Sequence, residues 1–461
     1  MQPHNTSATA MAAALAAGAT SARELIEEAI GAALSTPAVH CLTNNTFERG
    51  RHEADLSDQR RAGGRQLSPL DGVPVTWKDL FDVRGTVTTC GSESRLHLDS
   101  SSRDSAFVAA CADVGMISVG KTNMSEFAFS GLGVNTVFGT PVNPAHTDTP
   151  RVPGGSSSGA AVSVAVGVAP YAIGTDTSGS TRLPAAWCGV VGYRASKNRY
   201  GPNDFQPLSQ TLDSVGLIAR TVQDIRLLDD IMLKRHRAAR YPLDSSTPRF
   251  VVPDGELIDE CHPDIAAAFT EIVSALSAAG ATIEHRVFTS LNDAQSLMDS
   301  CGTIVGAEAR SNIRGEVNDT RLLQPATVRR LTHSARTNND PAQLYARLPD
   351  LRHRFQSELG DEVLLCPTVR IPPPAISTIR ENAKSFDYIN QRALRSTMLT
   401  SYLGACGISY PAAPFASASG LMMSRPCGDD DRLLAAASFI ELADARDVPA
   451  RRYAPLDPTC G

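Results

Sequence analysis

Polar and apolar positions along the chain fall into a recurring order, in which a helical stretch is followed by a short and almost wholly apolar run. The first 65 residues read as helices: an alanine-rich stretch over 8–19, an amphipathic helix over 24–33 and a charged one over 46–61. Ser21 and Glu24 form a capping-box pattern that sets the start of the second of these. A turn at Pro69-Leu70-Asp71-Gly72 then leads into the β-rich run 73–77, which ends on Lys78. Helix 106–114 with strand 116–120 repeats the rhythm. So does the small-residue run 160–168, predicted as a helix lying close against a sheet, with strand 171–174 after it. A buried strand is predicted over 188–193 and an amphipathic helix over 221–233, with Thr221 and Asp224 at its start.

The second half continues with strand 249–252, helix 263–278, strand 282–287 and strand 363–366. Residues 288–345 are more polar and read as a peripheral, mostly helical insertion. Arg370-Ile371-Pro372-Pro373-Pro374 must be extended, because consecutive prolines exclude a helix. Alternation of this kind argues an α/β fold. The expected organisation is an N-terminal helical segment over 1–65, a core over 66–235, and the remainder of the same α/β domain over 236–461.

Composition narrows the function classes. With 461 residues, 42% hydrophobic and 20% charged, the chain can bury a large core. A formal net charge of −6 and only short basic stretches, Lys234-Arg235-His236-Arg237 and Arg451-Arg452, argue against a nucleic-acid partner. Ten cysteines lie scattered without a CxxC pair, which fits reduced cytoplasmic thiols better than disulfides or zinc, and Cys90, Cys188 and Cys366 are expected in the core. No apolar run is long enough to span a bilayer. Neither metal nor cofactor is expected, and the helical N-terminal segment is the candidate face for a homodimer.

The chemistry is concentrated in 154–184, GGSSSGAAVSVAVGVAPYAIGTDTSGSTRLP. Glycines let backbone N–H groups approach a reacting atom, and the serines beside them supply nucleophiles or proton relays. Gly155-Ser156-Ser157-Ser158-Gly159 matches G-x-S-x-G and would make Ser157 the nucleophile. That pattern needs a later acid and histidine, yet the last histidine is His353 and the 108 residues after it contain none. A phosphate loop needs Gly-Lys followed by Ser or Thr, whereas Ala160 and Ala161 follow Gly159. A third chemistry needs no histidine: a lysine kept neutral by burial can activate a serine. Lys78, closing an apolar run, suits that role, and Lys121, which also follows an apolar strand, is its rival.

These residues resemble the amidase signature family of serine amidohydrolases. The family's GGSSSG loop, small-residue helix, GTDTGGS turn, R-x-P and CG strand are matched by Gly154 to Gly159, Gly174 to Ser180, Arg182, Pro184 and Cys188-Gly189. Gly72-Val73-Pro74 with Lys78-Asp79, Lys121-Thr122-Asn123 with Glu126-Phe127, and Leu212-Asp213-Ser214-Val215-Gly216 are similar too. The resemblance covers 66–235 and resumes faintly around 364–367 and 420–435.

What the resemblance implies is a large mixed central sheet flanked by helices on both faces, and cleavage of a carboxamide C–N bond. It assigns the base to Lys78, a bridging serine preceded by a cis peptide to Ser156, and the nucleophile to Ser180. The amides of Thr177, Ser178, Gly179 and Ser180 are then the expected oxyanion hole, with Asp176 and Arg182 pairing to brace the turn. The bland alternatives are a turn serine at 180, a helix N-cap at 156 and an exposed ion pair at 176 and 182. One departure stands out: the family's Gly-Gly-Ser reads Ser178-Gly179-Ser180. Small non-glycine residues at that place occur among relatives acting on urea-like compounds, so a urea-like substrate is one alternative to a carboxamide. A glutaminase subunit of a tRNA-dependent amidotransferase is another, disfavoured by Leu183 in place of the glutamine of R-Q-P. A non-catalytic scaffold is disfavoured by retention of Lys78, Ser156 and Ser180 together. Substrate specificity is expected to lie in 290–345 and 370–390.

Overall fold

The short apolar runs form strands buried along their whole length. This is so for β2 (Pro74–Lys78), β3 (Ile117–Thr122), β4 (Tyr171–Asp176), β5 (Val191–Arg194), β6 (Ser214–Ala219), β9 (Val363–Pro367), β10 (Cys406–Tyr410) and β11 (Leu421–Arg425). Burial without alternation means that both faces of the sheet are covered. Three more strands, β1 (Leu42–Asn45), β7 (Arg249–Asp254) and β8 (Thr282–Val287), lie towards its edges. In this computed structural model, which describes residues 6–236, 248–317, 319–336, 341–415 and 418–447, all eleven join one sheet in the order β1-β3-β2-β4-β6-β5-β10-β11-β9-β7-β8. Pairs β2–β3, β2–β4, β7–β8 and β7–β9 are parallel, and the other six are antiparallel.

Side-chain alternation separates two apolar clusters. Phe250 and Val252 of β7, with Val363 and Leu365 of β9, belong to one, while Val251 and Leu364 between them belong to the other. Segments separated in the sequence reading are joined here: β1 pairs with β3, and β5 with β10. The fold is therefore a single α/β domain.

Most predicted elements appear near their expected bounds, including Ala22–Ala33 with its Ser21/Glu24 capping box, Phe47–Ala62, and Pro263–Ala278. Three expectations need correction. The N-terminal 65 residues are not all helical, because Leu42–Asn45 adds an edge strand. The strand expected over 188–193 starts only at Val191, because Cys188 ends the helix Arg182–Cys188 and Gly189, with φ +70°, closes it in the left-handed conformation. The described residues within 288–345 are mostly helical, as Thr289–Cys301, Ile304–Glu316 and Pro325–Arg336 show, but they are not an appendage. Ile304, Ala309 and Ile313 are buried in the second apolar cluster.

Cys90, Cys188 and Cys366 are buried, and the described cysteines are free thiols. Among the described residues no helix is long and apolar enough to cross a membrane. Of the basic stretches, Arg237, Arg451 and Arg452 lie outside the described residues.

The small-residue run becomes the helix Ser158–Ala165, and its residues are small because backbone lies against it. A Cβ on Gly159 would sit 2.2 Å from the Cys41 carbonyl oxygen and 2.6 Å from the Asn123 nitrogen, neither of which can swing aside. Gly159→Ala is expected to lose about 1–3 kcal/mol or more, read as a lowered midpoint in thermal unfolding. An unchanged midpoint would mean that this close contact does not limit stability.

Candidate active site

β2 and β4 are parallel neighbours with Trp77 opposite Ile173, so the residues that end them, Lys78 and Thr175-Asp176, emerge at the same edge of the sheet. There the Lys78 Nζ donates hydrogen bonds to Ser156 Oγ at 2.6 Å and Thr175 Oγ1 at 2.9 Å. All three side chains are buried, and Lys78 forms no ion pair among the described residues. Burial pushes its pKa from 10.5 down to about 7, against the weaker opposing charges of Asp213 and Asp176. Lys121 sits differently: its Nζ is 2.6 Å from Asp79 Oδ1 and also donates to the Val87 carbonyl and Thr88 Oγ1. Lys121 and Asp79 are thus each other's buried partners.

Ser156 follows a cis Gly155–Ser156 peptide, and its carbonyl accepts from the Ser125 N–H at 3.1 Å. Ser157 precedes the helix Ser158–Ala165, so the helix-cap position belongs to Ser157 and not to Ser156. The Ser157 N–H donates to the Ser180 carbonyl at 3.1 Å, which ties the glycine-serine loop to the turn carrying Ser180. The Ser157 hydroxyl faces the Thr175 carbonyl at 3.4 Å and does not reach Lys78.

The turn after β4 is held by a carboxylate. Asp176 accepts from the N–H groups of Gly179 at 2.7 Å and Thr181 at 3.3 Å, and from Arg182 Nε and Nη2, each at 3.0 Å. Arg194 donates to the Asp176 carbonyl and lies 3.4 Å from Oδ1. Burial by itself would raise the Asp176 pKa, but the Arg182 and Arg194 charges hold it well below the carboxylate range. Arg182, fully buried, also donates to Thr400 Oγ1, Ser401 Oγ and the Thr397 carbonyl of the helix Ala383–Tyr402. Gly179 is required twice over: its φ is +122°, and a Cβ there would lie 2.0 Å from Thr397 Oγ1.

This arrangement corrects the expected oxyanion hole. The Gly179 N–H is occupied by Asp176, which leaves the amides of Thr177, Ser178 and Ser180 without an acceptor among the described residues. Thr177, Ser178 and Ser180 line a cavity of about 490 Å³. Segments expected to carry specificity supply much of its wall, among them Met298, Val305 and Tyr388. No group of three or more His, Cys, Asp or Glu side chains suited to a metal occurs among the described residues.

Three residues of the site carry no role in the sequence reading. Thr175 is the second partner of Lys78, and its signal was only its place before Asp176 in GTDT. Asp213, buried, accepts from Thr177 Oγ1 at 2.6 Å and from the N–H groups of Leu208 and Ser209. Burial raises its pKa to about 6, against those hydrogen bonds and the Lys78 charge. Thr397 donates to the Ser178 carbonyl at 2.6 Å from 219 residues away, a contact with no local signature.

A family model described as Amidase matches residues 24–434. The chain is similar to the 2-amino-5-chloromuconic acid deaminase of Comamonas testosteroni, at 32% identity over 407 residues, 85% of this chain and 86% of that one. It is also similar to the 1-carboxybiuret hydrolase subunit AtzE of Pseudomonas sp. (strain ADP), at 38% identity over 219 residues, 47% of this chain and 48% of that one. Among solved structures, one described as an amidase superposes with a TM-score of 0.84 at 27% identity, covering 95% of this chain and 99% of its own.

Removing one partner of a buried ion pair costs about 3–5 kcal/mol, and Arg182 is the partner that meets both carboxylate oxygens of Asp176, with Arg194 remaining at 3.4 Å. Arg182→Met is therefore expected to lower stability by that order in denaturant unfolding and to release the turn. A variant as stable as the native protein would show that Asp176 needs only Arg194.

Proposed function

The chain belongs to the amidase family and hydrolyses carbon–nitrogen bonds of amides, and we propose that it does so through an acyl-enzyme on Ser180, with Ser156 and Lys78 as the proton relay. The observation that carries this reading is the buried Lys78 Nζ, without a carboxylate partner among the described residues, 2.6 Å from Ser156 Oγ. A pKa of about 7 leaves a large neutral fraction at physiological pH, and only the neutral amine can take up a proton.

As Ser180 Oγ bonds to the amide carbonyl carbon, its proton passes to Ser156 and the Ser156 proton to Lys78. The carbonyl oxygen gains the negative charge and is met by the amides of Thr177, Ser178 and Ser180; one such donor contributes about 2.7–4 kcal/mol to the transition state. Collapse of the tetrahedral adduct breaks the C–N bond, and the leaving nitrogen takes the proton back from Lys78 through Ser156. Water then attacks the acyl-enzyme, its proton following the same path to Lys78. Collapse of this second adduct breaks the Ser180 Oγ–carbon bond, Oγ takes the proton back from Lys78 through Ser156, and the acid leaves.

A cavity of about 490 Å³ suits a small or medium substrate, and the names of the two curated relatives denote small molecules. Ser178 favours a second reading, a urea-like substrate: its buried Oγ has no partner among the described residues, and a nitrogen next to the carbonyl of a urea could supply one. A panel of amides and ureides, read by ammonia release, separates the two. The free thiols support a cytoplasmic setting.

Ser180→Ala is expected to lower turnover by about 10⁴-fold or more while leaving the unfolding midpoint in place. Native-like activity in this variant would contradict the assignment. Lys78 is active when deprotonated, so kcat/KM is expected to rise with pH through about 7 and level off above it. A rate that falls across that range would rule out a neutral-lysine base.

A further inference from the structure

The cavity above Ser178 and Ser180 carries an imbalance of charge. Three arginines and two aspartates line it, Arg329, Arg330 and Arg395 against Asp299 and Asp387. Arg329 Nε is 3.2 Å from Asp387 Oδ2, and Arg395 contacts Asp299 at 3.2 Å as well as Glu256 outside the cavity. Each aspartate thus has an arginine against it, although Asp387 is engaged through Oδ2 only, its Oδ1 having no hydrogen-bond partner among the described residues. Arg330 is left over: none of its guanidinium nitrogens has a hydrogen-bond or ion-pair partner among the described residues, and its Nε is sealed from solvent.

The group is nevertheless held in place. Its guanidinium carbon lies 4.4 Å from the centre of the Phe129 ring, and Phe129 lines the same cavity. Stacking on an aromatic face engages the plane of the guanidinium and leaves its N–H edge for another group. Burial draws the Arg330 pKa down to about 10, against the attraction of Asp387, so it is still a cation at neutral pH. A half-buried cation with a free planar fork is best matched by a carboxylate, which accepts two parallel hydrogen bonds from it and neutralises its charge.

We propose that Arg330 is the anchor for a carboxylate on the substrate, so that the enzyme acts on amides of carboxyl-bearing compounds, with the amide at Ser180 and the carboxylate against Arg330 and Phe129. The inference rests on the amide-hydrolase reading of Ser180 and adds a substrate class to it. Arg330 takes no part in bond making, and its effect falls on which amides are selected.

The test compares succinamate, glutaramate and adipamate with neutral counterparts in which a methyl ketone replaces the carboxylate, in the native enzyme and in Arg330→Gln and Arg330→Lys. For at least one pair the native enzyme is expected to favour the acid by about tenfold or more in kcat/KM. Arg330→Gln is expected to remove that preference while retaining turnover of the neutral amide, which also shows that it folds. Arg330→Lys is expected to keep part of the preference, a pattern that a purely structural role would not produce. Equal use of acid and neutral amides by the native enzyme, or an undiminished preference in Arg330→Gln, overturns the proposal. If no amide of either kind releases ammonia, the hydrolase reading of the site fails instead. Calorimetric titration of succinate, glutarate and adipate into native protein and Arg330→Gln then decides the anchor alone: binding weaker by about tenfold in the variant upholds it, and equal binding overturns it.

Discussion

Desolvation of one ammonium group is the constraint on which the rest of the site depends. Lys78 ends a strand that is covered on both faces, and among the described residues no carboxylate lies within ion-pairing distance of it. A pKa brought from 10.5 to about 7 means that burial disfavours the charged form by several kcal/mol. Two hydroxyls, on Ser156 and Thr175, take the place of a carboxylate. They orient the amine without fixing its proton, which a carboxylate would do. Lys121 shows the contrast: it is as deeply buried one strand away, but is held by Asp79.

Keeping the lysine neutral requires the charges needed for architecture to be settled elsewhere. The turn that presents Ser180 is organised by Asp176, whose charge is answered by Arg182 and Arg194. Arg182 carries that network into the helix Ala383–Tyr402, which returns through Thr397 to the Ser178 carbonyl. The turn is therefore gripped from the far half of the chain. Asp213 adds a milder influence, holding Thr177 directly and acting on Lys78 at longer range.

Local patterns in the sequence carry much of this, and long-range pairing carries the rest. The capping box at Ser21, the helix Pro263–Ala278 and the buried strands β2, β4 and β9 were legible because their signals lie within a few residues. Lys78, Ser156 and Ser180 were singled out through motif resemblance, since elimination of histidine chemistry alone left Lys121 as a competitor; the structure sets Lys78 against Ser156 and Lys121 against Asp79. The boundary at Cys188 was misplaced because an apolar run can end a helix as well as begin a strand, and the left-handed Gly189 decided between them. The Gly179 amide could not be removed from the oxyanion set without seeing Asp176 fold back onto it. The contact of Thr397 and the position proposed as an anchor at Arg330 had no sequence signal, because both arise from what neighbouring elements leave unpaired.

The central claim, that burial makes Lys78 a neutral base near physiological pH, is open to direct observation. The chain has only five lysines, so ε-carbon-labelled lysine should give few and assignable resonances in an NMR titration. One resonance, absent from Lys78→Met, is expected to titrate near pH 7. If the Lys78 resonance instead titrates at the ordinary value near 10.4, burial does not make it a base and the account fails at its foundation.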